Sequence, residues 1–169
     1  GMVFPEETKE DKEELIKNAW KLAEEIGPKL FLDKVKLIPG AAEVLTRVSQ
    51  RGIKLAVVTS TPKENMTAKL KPLIDSGISH LMEEIITADD TERIKPAADP
   101  VVECNKRLGI PAGKSVYVGD MRLDIKAGKA AGTKTIGVLT GFDDFESLKT
   151  ENPDAIINSI NELSDVIRM

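Results

Sequence analysis

The stretch Tyr117-Val118-Gly119-Asp120-Met121-Arg122-Leu123-Asp124 ends an apolar run with two carboxylates four residues apart. Gly119 is expected to let the backbone turn tightly, so that Asp120 leaves the tip of a strand. Asp124 follows one helical turn later and can face the same cavity. Acids in that position hold a cation, either a metal ion or a lysine ammonium. Their oxygens suit Mg2+, which takes few protein carboxylates and keeps several waters. Capping of the next helix is the alternative use of Asp120. Two other stretches carry complementary chemistry. In Thr59-Ser60-Thr61-Pro62 an apolar run enters a helix start, where hydroxyls and open N–H groups bind phosphate or another oxyanion, or simply cap the helix. Ile94-Lys95-Pro96 places a lysine before another helix, where it neutralises an anion, pairs with a carboxylate or is solvated.

Those residues need a scaffold, and the hydropathy pattern supplies one. Residues 6–26 carry an apolar stripe of Leu15, Ile16, Ala19, Leu22, Ala23 and Ile26, which reads as a helix stopped by Gly27-Pro28. Residues 29–38 fit a helix or a strand equally. After Pro39-Gly40 the pattern alternates. Ala41, Val44, Leu45 and Val48 form a helix face, and residues 53–59 read as a buried parallel strand. Thr61 is expected to cap a helix reaching Asp75, with Pro62 at its first position and Glu64 completing a capping box. Strands follow at 83–87, 115–120, 133–138 and 154–157. Helices are expected from Asp99 to Leu108, after Asp120, and after Ser159. Strands alternating with helices define an α/β fold with a mostly parallel sheet and helices on both faces. In such folds the site lies beyond the carboxyl ends of the strands, where Thr59, Ser60, Asp120 and Asp124 fall.

Composition narrows the function classes. The chain has 169 residues, 41% of them apolar, a net charge of −4 and one cysteine, Cys104. The length suits one compact domain with a small appendage. The acidic balance gives no electrostatic reason to expect nucleic acid or an anionic membrane as partner. A single cysteine forms no internal disulfide and fits a reducing compartment. No apolar run reaches membrane-spanning length, and no signal-peptide core is visible, so a cytoplasmic protein is expected. Cys104 is read as buried core, His80 as a solvated or capping residue. Asp89 and Asp90 are read as a loop edge, and Asp143 and Asp144 as capping residues.

In the order Thr59, Lys95-Pro96, Gly119-Asp120-x-x-x-Asp124, the chain resembles the haloacid dehalogenase (HAD) superfamily of phosphatases, especially its phosphoglycolate-phosphatase-like branch. LIPGAAEVLTRVSQRGIKLAVVTSTP is similar to the second motif region of that family, RIKPAADP to the third and VYVGDMRLDIKAGKAAGTKTIGV to the fourth. PDAIINSINEL resembles its last strand and helix. The resemblance spans residues 36–169. It implies a three-layer Rossmann-like core there, with residues 1–35 as the remnant of a helical cap. It implies that Thr59 and the backbone around Ser60 bind a phosphoryl oxygen, and that Lys95 contacts the phosphate and the nucleophile. Asp120 would ligate Mg2+, and Asp124 would orient water or Lys95. The substrate would be a small phosphorylated metabolite. Receiver domains use similar residue types, but there the acids precede the Thr and Lys.

One motif of that family is missing. Its members begin with Asp-x-Asp-Gly-Thr at the end of the first strand, the first Asp attacking phosphorus and the second acting as acid and base. No such run occurs in the chain. Residues 2–8 have the apolar lead-in, but Pro5 occupies the nucleophile's place. In Leu30-Phe31-Leu32-Asp33-Lys34-Val35, Asp33 is a candidate nucleophile, although Val35 stands where the second Asp belongs. The missing strand is the middle of the family's sheet, so its loss would leave a slot with two unpaired edges. Residues 2–4, residues 30–37 or another chain could fill that slot. Two functions follow from the resemblance. One is a Mg2+-dependent phosphomonoesterase. The other is a non-catalytic protein that binds a phosphorylated ligand, or that binds a second chain through the N-terminal helix and so forms a homo-oligomer or complex. A fragment of a longer phosphatase would show the same pattern.

Overall fold

The computed structural model describes residues 9–167, apart from certain side chains of its first helix, Trp20 and Asp33 among them. Met2 to Thr8 therefore lie outside the described residues. Helix α1 (Lys9–Lys34) is followed by α2 (Ala41–Gln50), β1 (Leu55–Val58), α3 (Met66–Asp75) and β2 (Met82–Ile86). Then come α4 (Asp99–Leu108), β3 (Val116–Gly119), α5 (Arg122–Ala130) and β4 (Lys134–Val138). The chain ends with α6 (Phe145–Thr150), β5 (Ala155–Ile157) and α7 (Leu163–Val166). The alternating pattern thus gives the expected α/β fold.

All strand pairs are parallel, but they form two pieces. β1 pairs with β2 in one, and β3, β4 and β5 follow in that order in the other. Among the described residues no strand joins β1 to β3. This explains a difference from the sequence reading. β1 was expected to be buried, yet all four of its residues are only half-buried, whereas Thr135, Ile136 and Gly137 of β4 are fully buried. β4 has a neighbour on each side and β1 has one.

Helices tie the two pieces together. Val44 and Val48 of α2 and Leu163 of α7 form a core with Ile136 and Ile157, and Leu55 and Val118 pack against it. On the other side α4 packs on β1 and β2, α5 packs on β3 and β4, and α4 touches α5. Alternation along a strand explains how one strand serves both faces: Val118 joins the α2 core while its neighbour Tyr117 faces α5.

Two expectations near the N-terminal half need correction. α1 does not stop at Gly27-Pro28 but continues to Lys34. Proline removes one N–H bond and disturbs one turn, and the Lys-, Glu- and Leu-rich residues on both sides are strong helix formers that carry the helix past it. Leu15, Ile16, Leu22 and Ile26 are exposed, so their stripe is not covered by the core. Lastly, Thr61 caps no helix: residues 63–65 form a 3-10 turn that leads into α3 with no side-chain cap. The Thr61 hydroxyl is engaged elsewhere.

Candidate functional site

Thr59 follows β1 directly and is only 6% exposed. Its N–H still bonds the Ile86 carbonyl of β2, at 2.9 Å, so the parallel ladder fixes its position. Its hydroxyl donates to Thr61 Oγ1 at 2.9 Å and accepts from the Thr61 N–H at 3.1 Å. Ser60, between them, is exposed at the strand end. This pair of hydroxyls in a tight turn is held by polar bonds of its own, as an anion-binding loop requires.

Lys95 reaches the same region from the loop before α4, where the Lys95–Pro96 peptide is cis. Its Nζ lies 2.6 Å from Asp124 Oδ1, and the two side chains are 15% and 5% exposed. Lys95 Nζ also stands 5.9 Å from the centre of the Tyr117 ring. Asp124 accepts the Met121 N–H with its other oxygen, at 3.1 Å. Tyr117 Oη lies 3.5 Å from Asp124 Oδ1 and 3.4 Å from the Val58 carbonyl, so it reaches toward the tip of β1. Burial, with the Asp124 charge and hydrogen bond behind it, pushes the Tyr117 phenol well above its usual range. Tyr117 therefore stays a neutral donor.

Gly119 plays a different part from the one expected. A Cβ there would collide with the Asp124 side chain, so the glycine is needed for space between strand and helix. Asp120 does not cap α5 either. Its Oδ2 accepts the Phe142 N–H at 2.9 Å, and its carbonyl accepts the Asp143 N–H at 3.0 Å. Asp143 instead accepts the first N–H of α5, from Arg122, at 2.6 Å, and Asp144 caps α6 through the Ser147 N–H at 2.8 Å. The capping expectation for Asp143 and Asp144 holds. Gly141 lets this loop press on Asp120, since a Cβ there would meet its carboxylate. Asp120 Oδ1 has no partner among the described residues.

Lys69 is the residue that sequence reasoning missed. It is the fourth residue of α3, and its Nζ donates to Thr61 Oγ1 at 2.9 Å. Burial, then the charge of Lys95, pulls its ammonium below the usual lysine range, while Asp120 and Asp124 act against that pull. All four charged groups therefore sense one another. The available signal was its position: a cation near a helix N-terminus works against the helix dipole and needs an acceptor or anion close by.

The remaining residues stand apart. Cys104 is buried, as expected, and burial raises its thiol pKa to about 11, which leaves it unreactive. His80 is exposed in a 3-10 turn. Asp90 caps the turn at residues 88–90 through Thr87 and pairs with Arg107. Asp33 lies in the last turn of α1, not at a strand end. Among the described residues no group of three potential metal-binding side chains gathers at one point. A complete protein shell for Mg2+ is thus absent there, and Asp120 fits as a single carboxylate ligand to an ion shared with a bound phosphate.

Comparison with known proteins places the chain in a family. Residues 3–138 match the family model described as haloacid dehalogenase-like hydrolase, and the chain belongs to that family. It is 34% identical over 128 residues to the phosphoglycolate phosphatase of Escherichia coli K12, covering 75% of this chain and 49% of that protein. The chain thus spans about half the length of the curated relatives it matches. Among solved structures, a predicted phosphoglycolate phosphatase from Haemophilus somnus 129pt superposes with a TM-score of 0.75 at 23% identity, over 96% of this chain and 69% of that one. CbbY from Rhodobacter sphaeroides, solved in complex with phosphate, gives 0.71 at 24% identity, over 88% and 65%. These two likenesses concern the fold.

Proposed function

We propose that the pocket formed by Thr59, Thr61, Lys95 and Asp120 binds the phosphoryl group of a small phosphorylated metabolite of the phosphoglycolate type, and that the reaction it serves is phosphate-ester hydrolysis. The observation that carries this reading is the shielded Lys95–Asp124 pair, which Tyr117 links to the Val58 carbonyl next to Thr59. A lysine fixed by a carboxylate presents its remaining N–H groups in set directions, which suits a phosphate oxygen. Thr59 and the backbone at Ser60 would hold a second oxygen. Asp120, whose Oδ1 has no partner among the described residues, would share Mg2+ with the phosphate and with water. Such an ion, when bound, would draw charge from the phosphoryl group.

Hydrolysis by the family's route also needs an attacking carboxylate, and a strand carrying one would fit between β1 and β3. Asp33 is the candidate nucleophile named from the sequence, and its place in α1 gives it no support from a strand end. Asp33→Asn with unchanged turnover would remove it. The lack of an Asp-x-Asp-Gly-Thr run favours a second reading, in which the 169-residue chain binds a phosphorylated ligand without turning it over. The exposed stripe on α1 supports a partner surface there, tested by the oligomeric state of Leu15→Glu in solution. No described helix is long and apolar enough to cross a membrane, which agrees with a cytoplasmic setting for this substrate class.

Hydrolysis of p-nitrophenyl phosphate and a phosphometabolite panel, with and without Mg2+, separates the readings. Mg2+-dependent turnover that vanishes in Asp120→Asn supports the hydrolase. Ligand-dependent rise in Tm without turnover supports binding alone. Neither response would contradict both.

A further inference from the structure

We propose that Lys69 is a direct cationic contact of the bound phosphoryl group, placed across the pocket from Lys95, and that it makes the pocket able to hold a dianion. The inference rests on the pocket being a phosphate site. Three observations support it. The first is hydrogen-bond accounting at Thr61. Its Oγ1 accepts from both Lys69 Nζ and the Thr59 hydroxyl, each at 2.9 Å, which fills its two lone pairs. Its own O–H proton must then point elsewhere, and it becomes a donor held beside the Lys69 ammonium. The second is chain position: Lys69 reaches Thr61 from α3, eight residues on, so two separate elements converge on the turn that follows β1.

The third is the charge count. Lys95 is committed to Asp124, and Asp120 adds a further negative charge near the strand tips. Among the described residues the charged groups there without Lys69 are two carboxylates and one ammonium, which would repel a phosphate dianion. With Lys69 those four groups sum to zero before ligand arrives. Lys69 is also partly withdrawn from water, where a charge acts on a neighbour more strongly than at the surface.

The test is calorimetric titration of inorganic phosphate, in Mg2+ buffer at neutral pH, into the wild type, Lys69→Met and Lys69→Arg. Loss of a charge-assisted bond predicts about a tenfold rise in Kd for Lys69→Met, and Lys69→Arg should recover most of it. The ligand-free Tm should change little in either variant, and Lys69→Gln replaces Lys69→Met if that variant does not fold. Equal affinity in wild type and Lys69→Met would overturn the contact while leaving the phosphate site intact. Weakening to the same degree in Lys69→Arg would assign the loss to packing and overturn it too. No phosphate binding by the wild type would overturn both the contact and the phosphate reading on which it rests.

Discussion

Lys95 and Asp124 are 29 residues apart in the chain and 2.6 Å apart in space, and both side chains are largely shielded from water. The pair joins the loop before α4 to α5, and so joins the two pieces of the sheet. Removing one partner leaves the other charge buried without compensation. Lys95→Met should therefore cost about 3 kcal/mol of stability. The double variant Lys95→Met/Asp124→Leu should regain much of that loss, because no charge is then stranded. Urea denaturation of the wild type, both single variants and the double variant measures this. Simple additivity of the two single effects would contradict the coupling.

Space at Gly119 is the second point of sensitivity. Gly119→Ala places a methyl group against Asp124, so it should cost about 2 kcal/mol and weaken phosphate binding together. Gly113 makes a fair control, since a Cβ there meets nothing within 4 Å and its backbone is not left-handed. Gly113→Ala should stay within about 0.5 kcal/mol of the wild type. Thermal melts with and without phosphate distinguish the two.

Asp90 governs part of the acid response. The Thr87 hydroxyl and backbone N–H, with Arg107, lower its pKa from 3.8 to about 2. The folded value lies below the unfolded one. Its stabilising effect is thus complete above the unfolded value and is lost as pH falls through about 2. Asp90→Asn should destabilise the protein by at most about 2 kcal/mol at neutral pH. The difference between the two proteins should shrink as pH drops below about 4. A difference that stays constant down to that acid range would contradict the assignment.

The split sheet makes a prediction for backbone exchange. Among the described residues β4 is paired on both sides, while β1 and β3 are each paired on one. Amides of residues 134–138 should exchange at least about tenfold more slowly than those of residues 55–58 and 116–119. Hydrogen–deuterium exchange read by mass spectrometry reports this directly. Equal protection of all three strands would mean that something covers the open edges.

Much of this was legible in the sequence, and the exceptions have physical causes. α4 begins at Asp99 and ends at Leu108 as expected, because Asp99-Pro100 and Gly109 are strong punctuation. Thr59 and Asp120 follow β1 and β3 as the strand pattern implies, and Lys95 meets Asp124. The continuation of α1 past Pro28 was hidden, since a local breaker was weighed above the helix formers on either side. Gly119 was read as a turn residue because its true constraint, the Asp124 side chain, is set by how α5 leans on β3. Lys69 was missed for a related reason. It lies outside the recognisable motifs, and only the fold of residues 59–69 brings its ammonium to Thr61.

The most direct measurement is a titration of 2-phosphoglycolate into the purified chain in Mg2+ buffer, with Thr59→Val as the comparison. One saturable site is expected, weakened about tenfold when the Thr59 hydroxyl is removed. A flat titration, or equal binding by the two proteins, would contradict a phosphate pocket at the end of β1.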